Sequence, residues 1–468
     1  MAFSHPPHLQ PDTIVAISTP PGRGGIGIVR LSGPNARAIA EPMLRLRNPL
    51  EHARARFGDL LDTLTSTDTL DQAVTTFFAA PNSYTGEDLV EIALHGSPVL
   101  LDHAVRQCLA AGARLAEPGE FTQRAFLAGR IDLTQAEAVH DLIASSTLEQ
   151  ARLAARQMGG SLAHATAPIK SDLVTLIATL EAGIDFAEDD IDVLPAADIL
   201  SHIDAILQPL RTLEQTFARG RILREGLRLA IVGRPNAGKS SLFNRLLERE
   251  RAIVTASPGT TRDTVSERVA IRGIPVELID TAGLRDATDE AERLGIARSR
   301  QAMAEADLTL LVLDASAESS ADDQAIVAEH QTTGRPLLIA LNKSDLLDPP
   351  MEPGAPSKLR FGGFPDANIR TSATTGLGLE DLRTAIVAAV GATPTAEPGT
   401  LTSLRQHTSV QAAIAGLEAA HAAVQAAIPH EMLLLDLYEA LRGLDALTGA
   451  TTTDDILHLV FSTFCIGK

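Results

Sequence analysis

Tryptophan is absent and tyrosine occurs twice in 468 residues, which leaves a chain 45% hydrophobic and 21% charged, rich in Ala, Leu and Arg. That is the composition of a soluble protein with much helix. Cysteine also occurs only twice, at Cys108 and Cys465, too few and too far apart for a disulfide framework, so a reducing cytoplasm is the expected compartment. No uninterrupted apolar run approaches the roughly 20 residues needed to span a bilayer, and the start "MAFSHPPHLQPDT" lacks a basic region followed by an apolar one. Neither a membrane role nor a secretory leader is therefore expected. Basic charge is scarce: 40 Lys and Arg face 59 Asp and Glu, a formal charge of −19, which argues against nonspecific adhesion to nucleic acid. Lysine is scarcer still, with five (Lys170, Lys239, Lys343, Lys358 and Lys468), and where arginine is the habitual cation a lysine marks a site that needs a compact ammonium.

What is present suggests about three domains. In the first part, "TIVAIST", "GIGIVRLSG", "AVTTFFAAP" and "DLVEIALHG" read as strands of an α+β module. The arginine run "LRLRNPLEHARARFG" reads as a solvated helix or loop face that a structured RNA could still meet. Cys108, in the helical "AVRQCLAAG", reads as a small buried hydrophobe; after "PGEFTQRAFLAGR" the texture turns helical, with Leu133, Ala136, Val139 and Ile143 at helical spacing. The acidic "EAGIDFAEDDID" reads as a solvated bend. From about Gly226 to Val390 the strands "LRLAIVG", "VELIDTAG", "LTLLVLDA" and "PLLIALNK" alternate with helices, the mark of a parallel α/β sheet, and helix resumes after the linker "GATPTAEPGT". An α/β unit bracketed by helices predicts insertion into a discontinuous helical domain. The expected fold class is thus multidomain α/β and α+β, with domains at residues 1–125, 126–225, 226–390 and 391–468.

"GRPNAGKS", residues 233–240, is a P-loop set between a strand and a helix: backbone N–H groups of Asn236, Ala237 and Gly238 cradle phosphate, Lys239 reaches the terminal phosphates, and Ser240, followed by Ser241, can ligate Mg²⁺. "PGTTRD" offers Thr261 as a second Mg²⁺ ligand, and "DTAG" places Asp280, Thr281, Ala282 and Gly283 beside the γ-phosphate. "NKSD" reads guanine through the Asp345 carboxylate, with Asn342 at the opposite edge and the Lys343 stem along the ring; Ser372 and Ala373 of "TSATTG" close the base site. In this order, over strands, they predict a GTPase. Leu284 follows "DTAG" and cannot orient water as a glutamine would, so the water is organised by other means, among them Glu292, a monovalent cation near Asn236, or a partner domain.

With "DTIVAISTPPGRGGIGIVRLSG", "PNSYTGEDLVEIALHG", "PGEFTQRAFLAGRIDLTQAEA", "GRPNAGKSSL" and "FCIGK", the chain resembles the MnmE (TrmE) family of GTPases of tRNA wobble-uridine modification over nearly its whole length beyond the first eleven residues. The resemblance implies an N-terminal folate-binding and dimerising domain, a discontinuous helical domain and an inserted Ras-like G domain. It implies a homodimer that joins an MnmG (GidA)-type flavoprotein, which carries FAD, in a heterotetramer. With tRNA as substrate, that complex adds an aminomethyl or carboxymethylaminomethyl group to carbon 5 of uridine 34, the carbon coming from a reduced folate (5-formyl- or 5,10-methylene-tetrahydrofolate). By similarity the folate contacts fall on Arg30, Glu91, Arg130 and Lys468. K⁺ falls to Asn236, Thr255, Ser257 and Thr260 in a loop that also holds Ala256, Pro258 and Gly259, and Glu292 orients the water. Arg130 stands where lysine is also familiar, and "HGS" at Ser97 stands where "HGG" is common. Cys465 is a candidate catalytic thiol in a tail whose Cys-Ile-Gly-Lys ending apolar packing does not explain. The alternative reading is an RNA-binding regulatory GTPase switch without one-carbon chemistry, which folate binding would separate from the first.

Overall fold

Two hydrophobic periods run through the chain, and each builds its own sheet. The computed structural model describes residues 12–185, 194–249, 266–280, 302–317, 320–331, 334–347, 368–391, 399–450 and 467. Within them the chain divides into two compact units, Met1–His140 with Asp445–Lys468, and Asp141–Leu444.

The first unit is built on the two-residue period. Its strands are β1 (Ile14–Ile17), β2 (Gly24–Ser32), β3 (Leu44–Leu46), β4 (Arg54–Leu61), β5 (Thr69–Phe78), β6 (Leu89–Gly96) and β7 (Arg114–Leu115), ordered β3-β4-β5-β6-β2-β1-β7. All neighbours are antiparallel except β7, which runs parallel to β1. Along β5, Ala73, Thr75 and Phe77 are buried while Val74 between them and Gln72 before them are exposed, the alternation that a half-buried sheet requires. The inward set, including Val29, Leu31, Val90 and Ile92, packs against Leu101, Ala104, Val105 and Cys108 of the helix Pro98–Ala110. Burial pushes the Cys108 thiol up to about 12, so it behaves as the small hydrophobe its sequence context suggests.

The arginine run is not helical: its two ends are strands, and residues 47–53 between them are a loop. "LRL" and "RARFGDLL" carry the same two-residue period and form β3 and β4, with Leu44 opposite Leu60. Their arginines point to carboxylates: Arg45 to Asp59 at 3.5 Å, Arg54 and Arg56 to Glu51 at 3.0 and 3.1 Å. The positive charge is thus partly compensated, with Glu51 shared by two arginines.

On the other face, the helix Glu120–Leu127 brings Phe121 against Ile14, Ala16 and Ala116. The same helix buries Arg124, whose guanidinium donates to Asp12 Oδ1 at 2.7 Å, Glu120 Oε1 at 2.9 Å and Glu87 Oε2 at 3.0 Å. Arg114 adds bonds to Glu120 at 2.5 and 2.8 Å and one to Asp12. Together these tie the segment before β1, the loop before β6 and the helix into one ionic cluster.

The second unit contains the other pattern, continuous apolar runs. Its sheet has the order β13-β12-β11-β8-β10-β9, from β8 (Leu227–Val232), β9 (Ser266–Ile271), β10 (Ile274–Asp280), β11 (Leu308–Asp314), β12 (Leu337–Asn342) and β13 (Asn368–Arg370). Only β9 is antiparallel, and every residue of β12 is buried, as expected for a parallel sheet covered on both faces. The helices Leu148–Met158, Ser161–Asp185, Ala196–Gln215 and Phe217–Glu225 precede this sheet in sequence, and Leu404–Gln425 follows it. The chain returns to those helices through a buried polar seam. Gln157 Nε2 donates to Thr400 O and Thr402 Oγ1, both at 3.0 Å, and the Leu401 N–H donates to Thr216 Oγ1 at 3.0 Å. Ser403 and Gln406 then form a capping box that starts Leu404–Gln425. The last residues of the acidic segment, 186–192, lie outside the described residues.

Replacing Arg124 by Ala leaves the buried Glu120 to Arg114 alone and takes a cation from the half-buried Asp12 and Glu87, and should destabilise the first unit by about 2–4 kcal/mol in urea unfolding. The cluster also predicts acid sensitivity. Burial acts to raise the carboxyl pKa values of Asp12 and Glu120, but the arginine hydrogen bonds outweigh it and hold both below the usual range. Asp62 is lowered to about 2, chiefly by the Thr65 hydroxyl. Because these folded-state values are depressed, their contribution is complete above the unfolded carboxylate range, roughly pH 5, and is lost as pH falls through the depressed values toward 2. An unfolding midpoint that stays constant from pH 5 to pH 2.5 would contradict this.

Candidate functional site

The carboxyl ends of β8, β10, β11, β12 and β13 lie along one edge of the second sheet, where an α/β fold places its ligand. After β8 the P-loop turns through Gly233 and Asn236, both at positive φ, and opens the helix Lys239–Arg249. Ser240 and Ser241 lie exposed in its first turn, where free N–H groups and the helix dipole favour an anion. Lys239 Nζ donates to Gly233 O at 2.7 Å and Arg234 O at 2.8 Å, which holds the ammonium at the loop.

Asn342 ends β12 and is buried. Its Nδ2 donates to Ala237 O at 3.0 Å, and its Oδ1 accepts the Ala373 N–H at 3.1 Å, an arrangement that fixes which end of the amide is which. The sequence assigns Asn342 to the guanine edge; here its carboxamide also staples the P-loop to the loop after β13. Lys343 follows at φ +61°, Asp345 is exposed at the sheet edge, and Ser372 is buried with its hydroxyl accepting the Thr375 N–H at 3.0 Å. Thus Asn236, Ala237, Gly238, Lys239, Ser240, Ser241, Asn342, Lys343, Asp345, Ser372 and Ala373 gather at one edge. Asp280 ends β10 at that same edge. Thr255 to Thr261, Thr281 to Gly283, Leu284 and Glu292 lie outside the described residues.

Two carboxylates that the motif reading passed over support these loops. Asp323, fully buried, accepts from Arg234 Nε at 2.9 Å and from the Ser320 N–H at 3.0 Å. Asp314, the last residue of β11, accepts from Lys343 Nζ at 2.7 Å. Asp314 was visible in sequence as the acidic end of the apolar run "LTLLVLD"; Asp323 carried no comparable signal.

The first unit holds a second cluster. Arg30 and Glu91 are cross-strand partners of β2 and β6, and Arg30 donates through Nη2 at 2.7 Å and Nε at 3.0 Å to Glu91 Oε1. The Arg30 guanidinium lies 5.6 Å from the Phe121 ring centroid and 5.9 Å from that of Tyr84, within cation–π range. The carbonyl of Gly467 reaches this cluster, accepting from Ser18 Oγ at 3.0 Å and Arg30 Nη1 at 3.5 Å. Gly467 has φ +96°, and a Cβ there would stand 2.4 Å from Ile17 O, so only glycine fits. Arg130 is exposed beside the Gly86 turn. Cys465 and Lys468 lie outside the described residues. Ser18, Tyr84 and Phe121 stand in strings the sequence reading quoted, but a lone hydroxyl or ring offers no spacing to identify it. Among the described residues, no group of three or more His, Cys, Asp or Glu could hold a metal ion.

Two family models cover this chain: the MnmE helical domain over residues 133–465 and the GTP-binding protein TrmE N-terminus over residues 13–130. The chain belongs to the MnmE family. It is 56% identical over 463 residues to the tRNA modification GTPase MnmE of Koribacter versatilis, covering 98% of this chain and 99% of that one. It is 43% identical to the Aquifex aeolicus protein of the same name, covering 98% and 100%. The G domain of the T. maritima FeoB iron transporter, a solved structure, is 25% identical and covers 35% of this chain and 98% of its own, at a TM-score of 0.26.

In this MnmE family chain the staple predicts a sharp mutational response. Gly238 has φ +91°, and an added Cβ would stand 2.2 Å from Asn342 Nδ2. Gly238→Ala should therefore break the Asn342 bridge and weaken guanine-nucleotide affinity by roughly 100-fold, from the lost hydrogen bonds and backbone strain together. Fluorescence titration with a labelled guanine nucleotide measures it; affinity within threefold of wild type would contradict the bridge's role.

Proposed function

We propose that this GTPase couples GTP hydrolysis to remodelling of the wobble base: with an MnmG-type FAD protein it adds an aminomethyl or carboxymethylaminomethyl group to carbon 5 of tRNA uridine 34, using the one-carbon unit of a reduced folate. Membership of the MnmE family makes the chain a tRNA modification GTPase. The observation that carries the finer reading is that two polar clusters coexist in one chain: the P-loop and base loops joined by Asn342, and the Arg30–Glu91 pair with the tail carbonyl beside it.

At the nucleotide cluster, Lys239 and the N-terminus of Lys239–Arg249 neutralise phosphate charge, and Asp345 accepts the guanine N–H groups. Mg²⁺ would be held by Ser240 and Thr261 and K⁺ by Asn236, Thr255, Ser257 and Thr260; bound there, they supply positive charge to the transferring phosphoryl group. The exposed Ser240 hydroxyl and the positive φ of Asn236 fit such ligation. Glu292 orients the water. At the second cluster, Glu91 suits the N–H groups of a pterin, while Arg30, Arg130 and Lys468 suit the carboxylates of its glutamate tail. Arg30 already divides its donors between Glu91 and the tail, which fits a site where cofactor and C-terminus meet. Cys465 stays in the same reading a candidate catalytic thiol of the C-terminal tail. The protein acts as a cytoplasmic homodimer with the domain limits given above; among the described residues, no helix is long and apolar enough to cross a membrane.

Mass spectrometry of wobble nucleosides tests the function. Cells lacking this gene should lose the carbon-5 aminomethyl-type nucleosides and regain them on complementation; unchanged nucleosides would overturn the proposal. Independently, hydrolysis should be faster in K⁺ than in Na⁺ at equal ionic strength, and Glu292→Ala should lower kcat far more than it weakens nucleotide binding. Equal rates in the two salts would remove the cation from the mechanism.

A further inference from the structure

Lys343 stands between two demands. Its backbone is at φ +61°, a conformation that L-residues other than glycine rarely adopt, and its four-carbon side chain has many rotamers to lose. A base binds the Lys343 stem as a platform more tightly if that stem is already laid out when the base arrives. Something must hold the far end.

The register of the sheet supplies it. Asp314 of β11 is the direct parallel partner of Asn342 in β12, so the two strand ends present an acid and the base-reading loop side by side. Asp314 Oδ2 takes the Lys343 ammonium at 2.7 Å. Its Oδ1 is fixed from behind by the Ser316 N–H at 2.9 Å and the Ser316 hydroxyl at 2.6 Å, so the carboxylate cannot swing away. The Ala315 N–H also donates to Asn342 O at 2.8 Å, locking the turn that carries Asp314 to the strand that carries Lys343. Burial acts to raise the Asp314 pKa, but the Lys343 and Ser316 bonds outweigh it and keep the group ionised well below neutrality.

We infer that Asp314 is a positioning residue of the guanine site, which anchors the ammonium of Lys343 and so pre-forms the aliphatic platform under the purine. The inference rests on the reading that Asn342, Lys343 and Asp345 hold guanine. Asp314 does not touch the nucleotide. It acts only through Lys343, by removing in advance the side-chain freedom that nucleotide binding would otherwise have to remove. Because the platform lies under the ring rather than at its edge, the choice between purines stays with Asp345.

The test is a double-mutant cycle on the full chain, with GDP and GTP affinities measured by fluorescence of labelled nucleotides and folding checked by thermal unfolding. Asp314→Asn, which preserves shape and the Ser316 bonds while losing the charge, should weaken GDP and GTP equally, about five- to tenfold, and raise KM by a similar factor with kcat moved less than twofold. Lys343→Met should weaken binding likewise, and adding Asp314→Asn to it should do little more. Additive losses, or Asp314→Asn affinity within twofold of wild type, would overturn the inference. Asp314→Ala, which also frees Ser316, checks the same result: lowered thermal stability with unchanged affinity would show a merely structural acid. The control is Asp345→Asn, which should turn preference from GTP to xanthosine triphosphate. If that switch fails, the base-site reading itself is wrong; if it succeeds while Asp314 and Lys343 act independently, only the inference on Asp314 fails.

Discussion

The nucleotide edge of this protein depends on one buried carboxamide. Asn342 receives an N–H from the loop after β13 and donates to a carbonyl of the P-loop, joining two segments that lie more than 100 residues apart in sequence. Such a contact is worth more buried than exposed, because a broken bond at that depth leaves Ala237 O or the Ala373 N–H without water to replace it. The parallel sheet makes it affordable. β8 and β12 flank β11 in a fixed register, so the end of one and the start of the loop beyond the other are always within reach. Asp314 and Asp323 then brace the two loops, Asp314 through Lys343 and Asp323 through Arg234.

The first unit solves a comparable problem with charge. Arg30 and Glu91 meet because β2 and β6 are antiparallel neighbours in a register that the inward-facing Val29, Leu31, Val90 and Ile92 enforce; a slip by one residue would exchange the faces. Ionic contacts around Arg124 secure the helix that carries Phe121 to Arg30. Packing therefore sets the geometry in both units, and the polar groups use it.

How much of this could be read in the sequence depended on period. The runs "LRLAIV", "LTLLVLD" and "LLIALN" are long and apolar, and they became β8, β11 and β12 with the P-loop and "NKSD" at their ends. The short β7 and the antiparallel β9 had no such run and went unread. In "LRLRNPLEHARARFG" charge density masks the short alternations of its two ends, which pair as β3 and β4, while residues 47–53 between them form a largely exposed loop as the composition suggests. The motif strings stand out because a P-loop and "NKSD" have fixed residue types at fixed spacing, and their described residues gather at one sheet edge. Their supports were not. Asp314, Asp323, Ser18 and the seam of Gln157 with Thr402 act through pairs 29, 89, 449 and 245 residues apart, separations that no local pattern encodes.

Asn342, rather than the P-loop alone, assembles the nucleotide edge. Amide hydrogen exchange of Ala373, read together with guanine-nucleotide affinity in Asn342→Ala, tests it most directly. The account predicts that Ala373 loses protection and affinity falls by about two orders of magnitude in the same variant. Lost protection with affinity unchanged would show that the P-loop stands without its staple, and would contradict the account.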